Sequence, residues 1–215
     1  MKTLVIDNYD SFTWNLVHLI AMVSGDPPKV IMNDEAGWDE KSLGAFDNVV
    51  ITPGPGHPAV PSDFGMCNKI FQQSNVPVLG VCLGFQGLCL AAGADVGLAP
   101  EPMHGRVSSV RHTGDDLFAN IPSPFSVVRY HSLAVQNWSA AIQPLAFADG
   151  DVLMAARRKR MPQWGVQFHP ESIATEYGQT IIRNFFTLTR QWRAAAAARG
   201  FKGDREFSKW PDATV

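Results

Sequence analysis

The sequence contains few cysteines and no long apolar run. Its three cysteines are too few, and odd in number, for a disulfide framework, so the expected setting is a reducing cytoplasm where an isolated cysteine stays a thiol. No apolar run approaches the ~18 residues of a membrane span, and the first residues do not have the pattern of a signal peptide. We therefore expect no membrane partner.

Charge of either sign is also scarce and nearly balanced. Charged residues make up 18% of the chain, and the formal net charge is -2. This balance argues against a nucleic-acid binder, because such proteins depend on many cationic contacts to phosphates. The one basic cluster, residues 157–160 (RRKR), is short, and we predict that it forms a solvated loop or a local docking patch.

The histidine and cysteine spacings of zinc sites are absent from the sequence. None of the patterns C-x-x-C, H-x-x-x-H and H-E-x-x-H occurs. We predict no metal site and no cofactor in this chain.

The order of apolar segments predicts an α/β fold. Continuous apolar strands alternate with amphipathic helices in the first half, which indicates an open, mostly parallel sheet covered by helices on both faces. Shorter segments between residues 105 and 156 are typical of added antiparallel strands. The predicted strands cover residues 3–6, 29–32, 48–52, 76–81, 105–111, 125–129, 145–148, 152–156 and 164–168, and the predicted helices end near residues 24, 74, 92 and 198. We expect one domain over residues 1–198 and a tail or linker start over residues 199–215.

Cys82 lies in the sequence Gly80-Val81-Cys82-Leu83-Gly84, after a buried strand and before a helix. This G-x-C-x-G pattern has the form of a nucleophile elbow, in which a strained turn exposes the nucleophile and leaves no room for neighbouring Cβ atoms. The N-terminus of the following helix favours a thiolate, and the N–H of Leu83 lies where an oxyanion would form. The alternative is a cysteine that only fills a gap in the core, which is the interpretation we give Cys67 and Cys89.

A nucleophilic cysteine requires a base, and His169 is the best candidate among the six histidines. It ends an apolar strand and is followed by Pro170 and Glu171. On an extended backbone, residues i and i+2 point the same way, so His169 and Glu171 would share a side, as a general base and its orienting carboxylate must. The alternative is a structural hydrogen bond at the end of a strand.

Residues 52–59 (TPGPGHPA) match the pattern G-x-G-x-x-A of a dinucleotide-binding loop. We reject that interpretation, because Pro55 and Pro58 remove two backbone donors and would disrupt the helix that should begin there. A rigid turn that presents the N–H of Gly54 or Gly56 as a second oxyanion donor or substrate clamp fits better. A plain surface turn is the alternative.

Three motifs in the same order, PGPG, GVCLGFQ and GVQFHPES, resemble those of the class I glutamine amidotransferases of the triad type. The resemblance covers about residues 1–190. It is closer to the amidotransferase components of aminodeoxychorismate synthase and anthranilate synthase, through LVIDNYDSFTWNL at the start, APEPMHGR at residues 99–106 and RYHSL at residues 129–133. The stretches at residues 33–35, 61–65 and 114–133 are more similar to aminodeoxychorismate synthases. One departure is Phe85, where many relatives have histidine, and it affects packing beneath the elbow.

The resemblance implies a role for each matching residue. Cys82 would attack the side-chain amide of L-glutamine, His169 would transfer the proton, and Glu171 would orient His169. Leu83 with Gly54 or Gly56 would form the oxyanion hole. The implied glutamine-binding residues are Gly54, Pro55, Gly56, Gln86, Ser132 and Leu133.

The resemblance also implies a partner. Ammonia diffuses away unless it is made beside its acceptor, and family members dock onto a chorismate-binding subunit or fused domain, where Mg²⁺ is expected. The PMHGR loop and the turn at residues 10–12 would be contact regions. We expect aminodeoxychorismate synthase in preference to anthranilate synthase. Two competing hypotheses are a stand-alone cysteine-triad amide hydrolase and a non-catalytic flavodoxin-like module with a structural Cys82.

Overall fold

The computed structural model describes residues 1–74 and 76–198, so the predicted tail at residues 199–215 lies outside the described residues. The strands are β1 (Thr3–Asp7), β2 (Lys29–Met32), β3 (Asn48–Ile51), β4 (Val78–Val81), β5 (Val96–Leu98), β6 (Arg106–His112), β7 (Phe125–Arg129), β8 (Leu133–Val135), β9 (Ile142–Ala148), β10 (Val152–Arg158) and β11 (Gln163–Val166). The α-helices are α1 (Thr13–Ser24), α2 (Pro61–Phe64), α3 (Cys67–Gln73), α4 (Leu83–Ala91) and α5 (Gly178–Ala198). Short 3-10 helices cover Glu40–Ala45, Asp116–Phe118 and Asp149–Asp151.

The central sheet has nine strands in the order β2-β1-β3-β4-β11-β10-β9-β6-β7. The first five of these strands are parallel to one another, and the last four are antiparallel additions that begin with the β11–β10 pair. Strands β5 and β8 form a separate two-stranded antiparallel sheet. The predicted α/β fold with a mostly parallel sheet and antiparallel additions is confirmed.

Both faces of β1, β3 and β4 are buried, which is why these strands are mainly apolar, whereas the edge strand β2 is only partly buried. Val5, Val50 and Leu79 face a core that also contains buried side chains of α1 and α5. Leu4, Val49 and other alternate residues face a second core with buried side chains of α3 and α4. None of the described helices is long and apolar enough to span a membrane.

One local prediction is wrong, and a second holds for only part of its range. The helix predicted over residues 62–74 is broken into α2 and α3 at Gly65, whose φ of 47° lies outside the helical region and where a Cβ would collide with the Asn33 backbone. The basic cluster is not simply a solvated loop, because Arg157 and Arg158 end strand β10. Arg157 Nε donates to Gln143 Oε1 at 2.8 Å, and Arg158 Nη1 donates to the Phe71 carbonyl at 3.0 Å.

The carboxyl ends of three adjacent strands meet at one edge of the sheet. Strand β3 leads into the PGPG turn, β4 leads into Cys82, and β11 leads into Gln167 and His169. In open α/β sheets this edge is where ligands bind. The topology therefore brings together three motifs that are far apart in the sequence.

Candidate active site

Cys82 lies on a strained turn between β4 and α4. Its φ of 52° and ψ of -101° are unusual for a residue with a side chain. The turn is tied down because Cys82 N donates to the Val166 carbonyl at 2.9 Å and its own carbonyl accepts from Gln86 N at 3.0 Å. A Cβ on Gly80 would collide with the Gly84 backbone, and a Cβ on Gly84 would collide with the Ile51 carbonyl. Positions 80 and 84 therefore require glycine, because other backbone atoms lie too close to leave room for a Cβ atom.

His169 and Glu171 form a buried contact beside this turn. His169 Nδ1 and Glu171 Oε1 are 2.6 Å apart, and the two side chains are 4% and 2% exposed. His169 and Glu171 point to the same side, as predicted. The backbone between them is not extended, however, but forms a turn in which Ser172 N donates to the His169 carbonyl at 3.2 Å. The carboxylate fixes the imidazole with Nδ1 protonated, which leaves Nε2 for proton transfer.

Nε2 of His169 is buried and has no hydrogen-bond partner at bonding distance, and its reactive neighbour is Cys82. Burial alone lowers the pKa of His169, but the interactions of the ring with Cys82 and Glu171 outweigh it and raise the pKa to about 10. A protonated imidazole is the form that stabilises a thiolate. The electrostatics of the site therefore favour the protonated form of the His169 ring.

The PGPG turn lies against the elbow through its first glycine. Gly54 is partly buried, and a Cβ there would collide with Asn8 and crowd the Leu83 side chain. Gly56 has a φ of 86° and lies against the Asp63 carboxyl instead, while Pro55 is exposed. Of the two glycines suggested by the sequence, Gly54 is the one in contact with Leu83, the residue after Cys82.

Gln86 and Leu133 are joined by a hydrogen bond near Cys82. Gln86 lies on the first turns of α4 and its Nε2 donates to the Leu133 carbonyl at 3.1 Å. Ser132 is exposed, and its carbonyl accepts from Ala99 N at 2.8 Å. Of the residues suggested for glutamine binding, Gly54 is thus near Leu83, and Leu133 is hydrogen-bonded to Gln86 on the helix that follows Cys82.

Gln167 and Tyr130, which no sequence motif marked as functional, both lie against the predicted triad. Gln167 is fully buried, and its Nε2 lies 3.6 Å from Cys82 Sγ. The Tyr130 ring packs edge-on against His169 with 4.9 Å between ring centroids, and it also stacks on Phe12 at 5.8 Å. The signal for Gln167 was available, because a glutamine inside an apolar strand end, two residues before the base, is expected to have a polar partner.

The remaining candidates have structural surroundings. Cys67 and Cys89 are buried in α3 and α4, and burial raises the pKa of both thiols. In the part of the chain that the structure describes, no group of three or more histidine, cysteine, aspartate or glutamate side chains could hold a metal ion. Phe85 is fully buried and packs beneath the elbow, where a Cβ on Gly165 would crowd its ring.

A cleft of about 830 Å³ borders the base on its outer side. It is lined by α1, by residues 169–173 and by the start of α5. The exposed apolar side chains along it are Phe12, Met22, Ile173 and Tyr177. The cleft therefore joins the buried His169–Glu171 pair to an apolar surface.

Comparison with known proteins identifies the family. The family model described as glutamine amidotransferase class-I matches residues 4–188. The chain belongs to the class-I glutamine amidotransferases. This result confirms the resemblance, and it agrees with the fold of a putative GMP synthase protein from Thermoplasma acidophilum. That structure matches with a TM-score of 0.80 and 26% identity over 92% of this chain and 98% of that one.

Two relatives show how this amidotransferase domain occurs in other proteins. An aminodeoxychorismate synthase of Streptomyces griseus is 53% identical over 89% of this chain, but the chain spans only 26% of that relative. An anthranilate synthase component 2 of Methanothermobacter thermautotrophicus is 40% identical over 86% of this chain and 98% of the relative. The same class-I domain is therefore found both within a longer chain and as a component of its own length.

Proposed function

We propose that this amidotransferase hydrolyses L-glutamine and passes the ammonia to a chorismate-binding partner. The observation that carries the proposal is the buried His169–Glu171 pair, 2.6 Å apart, beside a cysteine on a strained elbow. A catalytic triad of this kind consists of a nucleophile, a base and an orienting carboxylate. We assign these roles to Cys82, His169 and Glu171, respectively.

In the first half-reaction the Cys82 thiolate attacks the carbon of the glutamine side-chain amide. A C–S bond forms, and the amide carbonyl becomes an oxyanion. The N–H of Leu83 at the start of α4 is free of helical bonding, and with a PGPG glycine N–H it would bind that oxygen. Contact with Leu83 favours Gly54 over Gly56 for this role.

The intermediate then collapses as the C–N bond breaks. His169 Nε2 gives its proton to the departing nitrogen, which leaves as ammonia, and a γ-glutamyl thioester stays on Cys82. In the second half-reaction His169 takes a proton from water, and the hydroxide attacks the thioester carbon. The C–S bond breaks, and glutamate leaves with the thiolate restored.

Glutamine binding is assigned to the PGPG turn and to the residues around the Gln86–Leu133 hydrogen bond. The residues are Gly54, Pro55 and Gly56 in the turn, together with Gln86, Ser132 and Leu133. The NH₂ group of Gln86 is occupied by the Leu133 carbonyl, so its carbonyl oxygen is the end available to a substrate ammonium group. No metal or organic cofactor takes part in this chemistry, and Mg²⁺ is assigned to the partner.

The partner is assigned to the apolar cleft beside the base. Ile173 is fully exposed at its rim, and Met22 is 66% exposed. Exposed apolar side chains that border a reaction site suit a protein interface. A partner bound there would lie next to the point where ammonia is released, in the reducing cytoplasm that a catalytic thiol suits. The chain takes this role either as a free subunit or as part of a longer protein.

Ile173→Glu tests this surface, with Leu98→Glu as the matched control. Leu98 is also aliphatic and 76% exposed, but it does not line the cleft. We expect Ile173→Glu to weaken binding of the chorismate-binding subunit by at least about tenfold in calorimetry, because a charge would be buried at the contact. Equal binding by both variants would reject the cleft as the docking surface.

The aromatic product decides the pathway. The 53% identity to an aminodeoxychorismate synthase favours 4-amino-4-deoxychorismate, and the component 2 relative supports anthranilate as the second candidate. The chain should be mixed with glutamine, chorismate, Mg²⁺ and a candidate chorismate-binding subunit, and the product identified by mass spectrometry, with Cys82→Ala as control. Anthranilate would change the pathway. Full glutamine hydrolysis without a partner and without aromatic product would favour a stand-alone hydrolase.

A further inference from the structure

Gln167 is the buried polar side chain nearest to the nucleophile on the strand side. It follows β11, lies two residues before His169, and is fully inaccessible to solvent. Its backbone N donates to the Met154 carbonyl at 2.8 Å, which fixes where the side chain begins. Its Nε2 lies 3.6 Å from Cys82 Sγ, which is within hydrogen-bonding distance for a sulfur acceptor.

A chain of hydrogen bonds fixes which end of the Gln167 amide faces the sulfur. The chain begins at Arg129, whose guanidinium can only donate, and Arg129 Nε donates to His131 Nε2 at 3.0 Å. The other ring nitrogen of His131 must then carry the proton, and Nδ1 donates to the Leu133 carbonyl at 2.8 Å. The tautomer of His131 is therefore determined by its two neighbours.

The Leu133 carbonyl fixes the order of the two glutamines, whichever tautomer His131 adopts. A carbonyl can only accept, so Gln86 must turn its NH₂ group toward it, at 3.1 Å. The same NH₂ group donates to Gln167 Oε1, also at 3.1 Å. Gln167 therefore presents its oxygen to Gln86 and its NH₂ group to Cys82.

We propose that Gln167 is a positioning residue that holds the Cys82 sulfur in its attacking position and stabilises its thiolate form by donating a hydrogen bond to it. The proposal rests on the proposed function, in which that sulfur attacks glutamine. A hydrogen bond to a charged acceptor is stronger than one to a neutral acceptor, so the Gln167 NH₂ group favours thiolate over thiol. The bond weakens when the sulfur becomes a neutral thioester, which leaves the NH₂ group in place for the thiolate that hydrolysis restores.

The test compares Gln167→Met with the control Gln163→Met. Gln163 is also fully buried, lies on the same segment, and donates from Nε2 to the Phe71 carbonyl at 2.9 Å, so both variants lose a buried amide. The assay is the rate of Cys82 alkylation by iodoacetamide against pH, with peptide mapping to assign the label and circular dichroism to verify the fold. This assay needs neither glutamine nor a partner, so the two proposals can fail separately. Absence of glutaminase activity in the wild-type chain would reject the proposed function, whereas the alkylation rates would still test the role of Gln167.

We expect Gln167→Met to slow alkylation at pH 7 by about tenfold or more and to move the pH profile upward by about one unit. Gln163→Met should stay within about twofold of wild type, because the loss of a buried amide remote from the sulfur affects stability and not the thiolate. If Gln167→Met does not fold, Gln167→Glu keeps the shape of the side chain, and at pH 8 its carboxylate should slow alkylation further. An unchanged profile in a folded Gln167 variant, or an equal shift in Gln163→Met, would overturn the proposal.

Discussion

Protonation of His131 should destabilise the fold at mildly acid pH. The ring is buried with both nitrogens committed, one accepting from Arg129 and the other donating to the Leu133 carbonyl. Burial lowers the pKa of His131, the Arg129 charge lowers it further, and the hydrogen bond to Leu133 opposes them. The result is about 4, from an ordinary value of 6.5. A second proton has no acceptor here and would face the Arg129 guanidinium.

The sign follows from which state takes up the proton. Above pH 6.5 both the folded and the unfolded chain hold His131 neutral, so its contribution to stability is fully present. Between pH 6.5 and about 4 the unfolded chain binds a proton that the folded chain does not, and the free energy of unfolding falls as pH falls. Over this whole range the free energy of unfolding falls by about 3 kcal/mol, at 1.36 kcal/mol per pH unit. About 2 kcal/mol of this fall has occurred by pH 5.

Urea denaturation at pH 7 and pH 5, followed by tryptophan fluorescence, measures this loss. His131→Gln removes the titration but keeps a donor and an acceptor, so the free energy of unfolding of wild type should drop by about 2 kcal/mol more than that of the variant. His18→Gln, at an exposed position on α1, is the control and should behave like wild type. Equal losses in wild type and His131→Gln, within about 0.5 kcal/mol, would refute the reasoning.

Three further predictions concern the elbow and the triad. Glu171→Gln should lower the kcat of glutamine hydrolysis by roughly 10³- to 10⁴-fold with a small change in KM, because the imidazole loses its orienting charge, and a loss below tenfold in steady-state kinetics would contradict the triad. Gly84→Ala should cost about 2–3 kcal/mol in urea denaturation, because the new Cβ meets the Ile51 carbonyl, while Gly44→Ala, with open space around it, should cost less than about 1 kcal/mol. Gly54→Ala should lower kcat by about 10²-fold through displacement of the oxyanion donor, and an unchanged kcat in a folded variant would transfer that role to Gly56.

The fold and the three motifs could be predicted because they depend on local patterns. Continuous apolar runs identify β3 and β4, and the glycines at 80 and 84 identify the elbow, since only a residue without Cβ fits where backbones meet. The proximity of His169 and Glu171 also followed from their spacing. Their backbone is a turn and not the extended strand end that we assumed.

The missed features depend on contacts between distant segments. Strands β5 and β8 have three residues each, too short for a periodic signal, and they exist because they pair with each other. The break at Gly65 depends on the approach of the Asn33 backbone. The orientation of the Gln167 amide depends on Gln86 in α4 and on the Leu133 carbonyl in β8, and no spacing in the sequence contains that information.

Covalent labelling of the nucleophile decides whether Cys82 is the residue that attacks glutamine. The chain is incubated with a glutamine analogue in which a chloromethyl ketone replaces the side-chain amide, so that the attacking thiolate displaces chloride, and intact mass spectrometry followed by peptide mapping locates the adduct. We predict one adduct on Cys82, blocked by excess glutamine and formed much more slowly in Glu171→Gln. An adduct on Cys67 or Cys89, or no adduct on a folded chain with its partner present, would contradict the assignment of Cys82 as the glutamine-attacking nucleophile.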